Sequence, residues 1–467
     1  MPPQIATLAF IVGILVLFLL NRDSQVRTSP ALWIPVAWFL IAGSRPVSAW
    51  MAGTQQQSVS QYMEGSPLDR NVYLTLLVMG IVVLFRRMGK VWPLLRDNRS
   101  LLLFLFYCSV SIAWAEYTDI AFKRWIKFLG DFVMVLVVVT ESHPLIAMKR
   151  FLSRAGLVLL PVSVLFIKYY PNLGRSYSPW SGKQFFTGVG DNKNGLGVIS
   201  LILGIAALWQ FLEHFQNQPK ASSKKPLIAQ GVLLLIALWL MWTANSMTSM
   251  SCFFMAAFLM IAAKLRIMSR MRWAMPALIA GMLFASFSVL FLDVGGDVVE
   301  TIGRDPTLTG RTQIWTLVLG MRGNPLVGTG FESFWLGKRL ARMWSLYWWH
   351  PNEAHNGYLE VFLTLGWIGI ALLAAVLVMA YRKVMDAFRH DPMTGRLIVA
   401  YFVVAVAYNF TESAIKPLSP IWITLLLAIT AASIIRRREA HDSAENDYGP
   451  TEPRSQVGDH LVGVSAS

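Results

Sequence analysis

Residues 357–380 read GYLEVFLTLGWIGIALLAAVLVMA, an almost unbroken apolar run whose single charge, Glu360, lies near its start. A helix crosses the ~30 Å hydrocarbon core of a bilayer in about 20 residues, and this run is long enough to do so. The same kind of run recurs at about 5–20, 31–44, 71–85, 101–116, 125–140 and 156–169. It recurs again at about 194–212, 226–243, 250–263, 273–292, 397–413 and 419–435. These predict an all-α, polytopic transmembrane helical protein with 12 or 13 spans, the shorter stretches at 31–44 and 250–263 deciding the number.

Composition agrees with that reading. Of the 467 residues 55% are hydrophobic and 14% are charged, against roughly 25% charged in a soluble domain, which excludes a soluble enzyme. The net charge of +15 would suggest nucleic acid in a soluble chain; here it reports topology, and no nucleic-acid partner is expected. Lys and Arg crowd alternate loops, among them Arg86–Arg99, Lys149–Arg154, Lys264–Arg272, Arg382–Arg396 and Arg436–Arg438. Short loops rich in these residues stay cytoplasmic, which places the N-terminus outside and the C-terminus inside. No Lys or Arg precedes the first run and no small-residue cleavage site follows it, so a cleaved signal peptide is not expected. Cys108 and Cys252 both sit within apolar runs, which leaves no disulfide framework and no zinc cluster.

Three regions follow. Residues 1–170 are N-terminal transmembrane helices; 171–435 form the region that carries the chemistry; 436–467 is polar, lacks a periodic apolar face and reads as a disordered cytoplasmic tail. Within the second region the outer loop 293–356 is far longer than ordinary connections. Trp315, Phe331, Phe334, Trp335, Trp344, Tyr347, Trp348 and Trp349 make it too aromatic for disorder and suit a small packed subdomain.

Cations on the outer side run against the topological bias. Lys168, Arg175, Lys183 and Lys193 lie after the sixth run; Arg304, Arg311, Arg322, Lys338, Arg339 and Arg342 lie in the long loop; Arg124 opens the fifth run. Together they suit an anionic ligand such as a lipid pyrophosphate, because Arg meets phosphate oxygens through two parallel hydrogen bonds. Pairing with loop carboxylates such as Glu332 and Glu353, or contact with lipid headgroups, is the competing reading of each. Where the long loop enters the eleventh run stands His350-Pro-Asn-Glu-Ala-His355-Asn-Gly-Tyr-Leu-Glu360. A histidine there, beside Asn356 and Glu360, has the pKa range of a general base. Two histidines five apart are not the spacing that puts zinc ligands on one helical face, and no metal is expected. The glycine-rich stretch from Gly174 to Gly197 follows no strand and faces outward, so it is not a nucleotide loop; Lys193 and Asn194 open the seventh run, where backbone N–H groups face a ligand.

These pieces in this order resemble the O-antigen ligase and polymerase superfamily of bacterial membrane glycosyltransferases. The resemblance rests on Asp191-Asn-Lys-Asn194, Thr309-Gly-Arg311 with Trp315, Asn324-Pro-Leu-Val-Gly-Thr-Gly330-Phe, His355-Asn-Gly-Tyr-Leu-Glu360 with Leu365-Gly366, and Asn409-Phe-Thr-Glu-Ser413. It spans about 175–413, and the wording around Gly328–Trp335 is most like members associated with exopolysaccharide production. The resemblance implies transfer of a glycan from undecaprenyl pyrophosphate to a sugar hydroxyl at the outer face of the bacterial inner membrane, without cofactor. It implies Arg175 and Arg311 on the donor pyrophosphate and His355 as proton acceptor. Arg304 rivals Arg311 for its role, and Arg124, Lys193, Asn194, Asn356 and Glu360 are further substrate-binding candidates. Polymerisation of exopolysaccharide repeat units is the favoured reaction, with ligation to lipid A-core as the alternative. A flippase supplying the donor, a chain-length regulator and membrane lipids are the partners implied. The rival of another class is a lipid-linked sugar transporter, which would carry its charges near mid-membrane in broken helices and show repeats.

Overall fold

The computed structural model describes residues 1–22, 26–52, 63, 65–177, 182–216, 224–291 and 309–447. Every apolar run becomes a helix. The first six are α1 (Pro3–Leu20), α2 (Trp33–Ala42), α3 (Pro67–Phe85), α5 (Arg99–Val110), α6 (Thr118–Val139) and α7 (Pro144–Tyr169), with the amphipathic α4 (Met88–Asp97) between α3 and α5. Then come α8 (Lys193–Gln216), α9 (Lys225–Ala244), α10 (Met247–Ala262) and α11 (Ala274–Phe291). After the long loop follow α14 (Gly357–His390), α15 (Pro392–Tyr408) and α16 (Pro420–Asp447). Among the described residues eight helices are long and apolar enough to cross a membrane, and four shorter apolar helices accompany them. This is an all-α, multi-pass membrane protein. The strands described are one antiparallel hairpin, β1 (Arg175–Tyr177) and β2 (Gln184–Phe186), with Arg175 opposite Phe186.

α15 packs on α10, α14 and α16, and α16 also packs on α14; the apolar side chains of α15 and α16 are buried almost without break from Leu397 to Val404 and from Ile421 to Ile429. Helices buried all round read as uniformly apolar rather than amphipathic, which is why both lacked a polar face in the sequence. α6 begins earlier than its apolar run because Asp119, Lys123, Arg124 and Lys127 occupy its first half, while Phe132–Val139 is wholly buried. α16 runs past Ile435 to Asp447, so Arg436–Asp447 is helical where a disordered tail was expected. The Arg-rich continuation is a good helix former, and it is held laterally by Arg437 on Asp97 and on the Pro93 carbonyl, and by Glu439 on His390. Residues 448–467 lie outside the described residues.

The described part of the long loop is ordered around two short helices, α12 (Thr309–Gly320) and α13 (Gly337–Leu346). Ile314, Val318, Phe334, Trp335, Leu340, Met343 and Ala354 build a small core of their own against Leu363 of α14. The loop's aromatic residues thus pack a subdomain over the mouth of α14. Trp315 donates to the Ala354 carbonyl at 2.7 Å, and Trp335 donates to both oxygens of Glu360 at 2.9 Å.

Candidate active site

Local backbone geometry presents His355. Asn356 caps α14, its Oδ1 accepting from the Tyr358 and Leu359 N–H groups at 3.0 and 2.9 Å while its Nδ2 donates to the Phe410 carbonyl. The Gly357 N–H donates to the Asn409 carbonyl at 2.9 Å, which ties the start of α14 to the turn between α15 and α16. Between these anchors His355 adopts the left-handed region, φ 53°, which non-glycine residues seldom occupy and which surrounding contacts must enforce.

Two carboxylates meet its ring, one from its own segment and one from the turn between α15 and α16. Nδ1 lies 3.1 Å from Glu412 Oε2 and 3.2 Å from Glu353 Oε1, and among the described residues Nε2 has no hydrogen-bond partner. Glu412 is the hub. Its Oε1 accepts from Arg311 Nη2 at 3.1 Å and from Asn194 Nδ2 at 3.2 Å, while Arg311 Nη1 donates to the Thr411 carbonyl at 2.6 Å. Glu353 is held in turn by the Lys416 ammonium. The cluster therefore interleaves two carboxylates with a lysine, an arginine and a histidine.

The charges shift one another. Burial alone would lower the His355 pKa, but the hydrogen bonds and charges of Glu353 and Glu412 outweigh it and raise the imidazole to about 9. Burial would likewise raise Glu353, yet Lys416 and His355 hold it well below the usual carboxylate range. Burial opposes the charge of Lys416, and Glu353 overcomes that and holds it above the ordinary lysine value. Glu353, His355 and Glu412 offer ligand atoms within 4.8 Å of one another, a spacing a metal ion accepts. Their carboxylates are already engaged by Lys416, Arg311 and Asn194, so a cation would have to displace those partners.

A cleft of about 240 Å³ opens beside the cluster, walled by Glu353, Glu412, Ser413 and Lys416 on one side and by Ser44, Gly190–Asn192 and Asn194 on the other. The Asp191-Asn-Lys-Asn194 turn is shaped by Asn192, whose Oδ1 accepts from the Gly195 N–H at 2.8 Å and caps α8. Arg45 braces the turn from behind, donating to the carbonyls of Gly190 and Leu173 and to Thr187 Oγ1.

The residues singled out in the sequence thus divide. Arg311, Asn194 and His355 converge on Glu412, and Asn356 positions them through its cap. Glu360 sits beneath, its carboxylate accepting from Trp335 and from the Ala354 N–H. Lys193 is exposed at the start of α8. Arg175 turns away on β1, its Nε donating to the Ile167 carbonyl at 2.8 Å and its guanidinium over Phe186. Arg124 donates to the Glu332 carbonyl at 2.9 Å and faces the Glu332 carboxylate at 3.6 Å. Of the other outer cations, Lys168 lies over Trp239, Arg322 donates to the Leu319 carbonyl and Arg339 pairs with Glu116. Arg304 lies outside the described residues. Glu412, Glu353 and Lys416 were missed as site members. The signal available for Glu412 was a carboxylate in a polar turn between two apolar runs, a costly position that marks function.

The O-antigen ligase family profile matches residues 231–374, the stretch that carries Arg311, Glu353 and His355. The resemblance to the O-antigen ligase superfamily holds. A relative, the exopolysaccharide production protein ExoQ of Rhizobium meliloti (strain 1021), is 25% identical over 362 residues, covering 72% of this chain and 77% of its own. The chain is accordingly similar to O-antigen ligase family proteins over that stretch and to a protein of exopolysaccharide production over most of its length.

Proposed function

We propose that this protein is an inverting membrane glycosyltransferase that moves a glycan from undecaprenyl pyrophosphate to a sugar hydroxyl at the periplasmic face of the inner membrane, polymerising exopolysaccharide repeat units. The observation that carries the reading is the Arg311–Glu412–His355 linkage, whose Glu412 walls the cleft, in a chain similar to an exopolysaccharide production protein. Nδ1 is oriented by carboxylates and Nε2 has no hydrogen-bond partner among the described residues, the arrangement of a base held in one tautomer. Neutral His355 accepts the proton of the attacking hydroxyl, and the imidazolium so formed is stabilised by Glu353 and Glu412. The glycosidic bond to the pyrophosphate breaks as the new bond forms on the opposite face. Charge grows on the departing pyrophosphate, where Arg311 stabilises it more in the transition state than in the ground state. Arg175 and Arg124 stand farther out and suit the donor's approach, together with Lys193. Asn194, Asn356 and Glu360 keep the base and its carboxylate in register, and no metal takes part.

Ligation of the glycan to lipid A-core is the second reading, favoured by the description of the matching family. The deciding experiment gives the purified protein in lipid a radiolabelled undecaprenyl-pyrophosphate repeat unit without other acceptor and resolves products by size. A ladder of longer lipid-linked glycans that vanishes in His355→Ala supports polymerisation. Label that moves only to added lipid A-core replaces polymerase by ligase, and label that merely crosses the bilayer sinks both.

A further inference from the structure

At the bundle end opposite His355 a second cavity of about 670 Å³ opens between α1, the segment after it and α7. Arg22, Arg27, Arg150 and Arg154 converge on it, and among the described residues lining it there is no carboxylate. Arg150 is engaged with Thr28 and the Val26 carbonyl. Arg154 is different: its guanidinium lies over Trp33, 4.6 Å from the ring centroid, and its buried Nη1 has no hydrogen-bond partner among the described residues. A buried charged donor without an acceptor is costly and calls for an anionic oxygen. Besides Asn21 and Thr28 the remaining wall is apolar, with Leu15, Phe18 and Leu19 from the C-terminal end of α1 and Trp33 from the start of α2.

We propose that this cavity binds the headgroup phosphate of an anionic membrane phospholipid, with Arg154 and Arg27 on the phosphate and an acyl chain along Phe18 and Leu19. Basic pockets between transmembrane helices on the Lys/Arg-rich side recognise such headgroups. α1 packs on α7 along one face and leaves most of its surface uncovered by protein. Among its residues only Ala6 is buried, and single hydrogen bonds pin its ends, Thr7 to Tyr170 at 2.8 Å and Asn21 to Gln230 at 2.8 Å. A lipid in the cavity bridges the C-terminal end of α1 to α7, beside the contacts the two helices already make. The proposal is independent of the glycosyltransferase reading.

The test delipidates the purified protein and measures retention of dioleoylphosphatidylglycerol and dioleoylphosphatidylcholine by native mass spectrometry. The wild type retains phosphatidylglycerol selectively. Arg154→Gln lowers that retention about fivefold, and Arg27→Gln with Arg154→Gln about 25-fold, on the scale of one basic side chain near an anionic surface. Arg382→Gln, an exposed arginine away from the cavity, changes nothing. If Arg154→Gln does not fold, the exposed Arg27→Gln alone still lowers retention about fivefold. Equal retention of phosphatidylcholine, an equal loss in Arg382→Gln, or displacement of the lipid by inorganic phosphate overturns the proposal, the last by making the site one for a soluble anion.

Discussion

His355 meets two carboxylates through a single nitrogen, and the consequence is a basicity well above that of free imidazole. With its pKa raised from 6.5 to about 9, the ring is an imidazolium at neutral pH, and the neutral base grows as pH rises. Transfer limited by that base therefore climbs from pH 7 and levels near 9. Glu412→Gln removes one of the two charges, so its rate is lower at pH 9 and its breakpoint moves down toward 6.5. A pH–rate profile of repeat-unit transfer checks both statements, and a breakpoint unmoved in Glu412→Gln would separate that carboxylate from the base. Arg311 makes a different demand, because its two nitrogens hold the Thr411 carbonyl and Glu412 together. Lysine carries the charge but not the fork, so Arg311→Lys should lose about a hundredfold in turnover, the scale of one preorganised donor to developing charge. Near-wild-type turnover with normal membrane content would reduce Arg311 to a headgroup contact. His355, Arg311 and Asn194 were legible in the sequence because each sits in a motif of short range. Glu353 and Lys416 were not, because their partnership joins the loop before α14 to the turn after α15, and no local pattern encodes that distance.

The elements show how a long span tolerates an interruption. α14 is broken at Gly366, φ 64° and ψ −163°, and the turn Asn324–Gly330 is docked into the break. Thr329 and Gly330 N–H groups donate to the Leu363 and Thr364 carbonyls, while the Trp367 and Ile368 N–H groups donate to the Pro325 and Leu326 carbonyls. These four groups at the break, and the Leu365 carbonyl that accepts from the Tyr107 hydroxyl at 3.0 Å, are thus satisfied within the protein, as irregular backbone at membrane depth requires. A Cβ on Gly366 would stand 2.3 Å from Leu326 backbone atoms, and one on Gly328 2.3 Å from those of Thr364. Both glycines also have positive φ. Gly366→Ala should therefore cost about 2 kcal/mol or more and lower the melting temperature by several degrees. Gly281→Ala on α11 serves as a comparison, since a Cβ there meets nothing within 4 Å. An unchanged melting temperature in Gly366→Ala would show that the interlock contributes nothing. The apolar runs were legible because each is long and uniform, yet this break was hidden: a glycine in an apolar run reads the same whether the helix passes through it or stops.

At the scale of the whole molecule, charge is segregated between the two ends of the bundle. One end holds Arg311, Glu353, His355, Glu412 and Lys416; the other holds Arg87 on Glu141, Lys149 on Glu213, Arg437 on Asp97 and the arginines around α1. The alternation of Lys/Arg-rich loops in the sequence assigned these groups to opposite sides, and the connectivity of α7, α8 and α14–α16 delivers them there. A transporter would instead concentrate ionised groups near the middle of its helices. Sidedness is directly measurable because Cys108 and Cys252 are both buried and should stay silent toward a membrane-impermeant thiol reagent. Lys193→Cys, exposed at the opening of α8, should label in intact spheroplasts, whereas Arg438→Cys, exposed on α16, should label only after permeabilisation. The reverse pattern would put the cleft in the cytoplasm and remove its access to a lipid-linked glycan delivered outside. Labelling of both in intact cells would mean that the helices between them do not cross the bilayer an odd number of times, and the chain path through α14 would have to be redrawn.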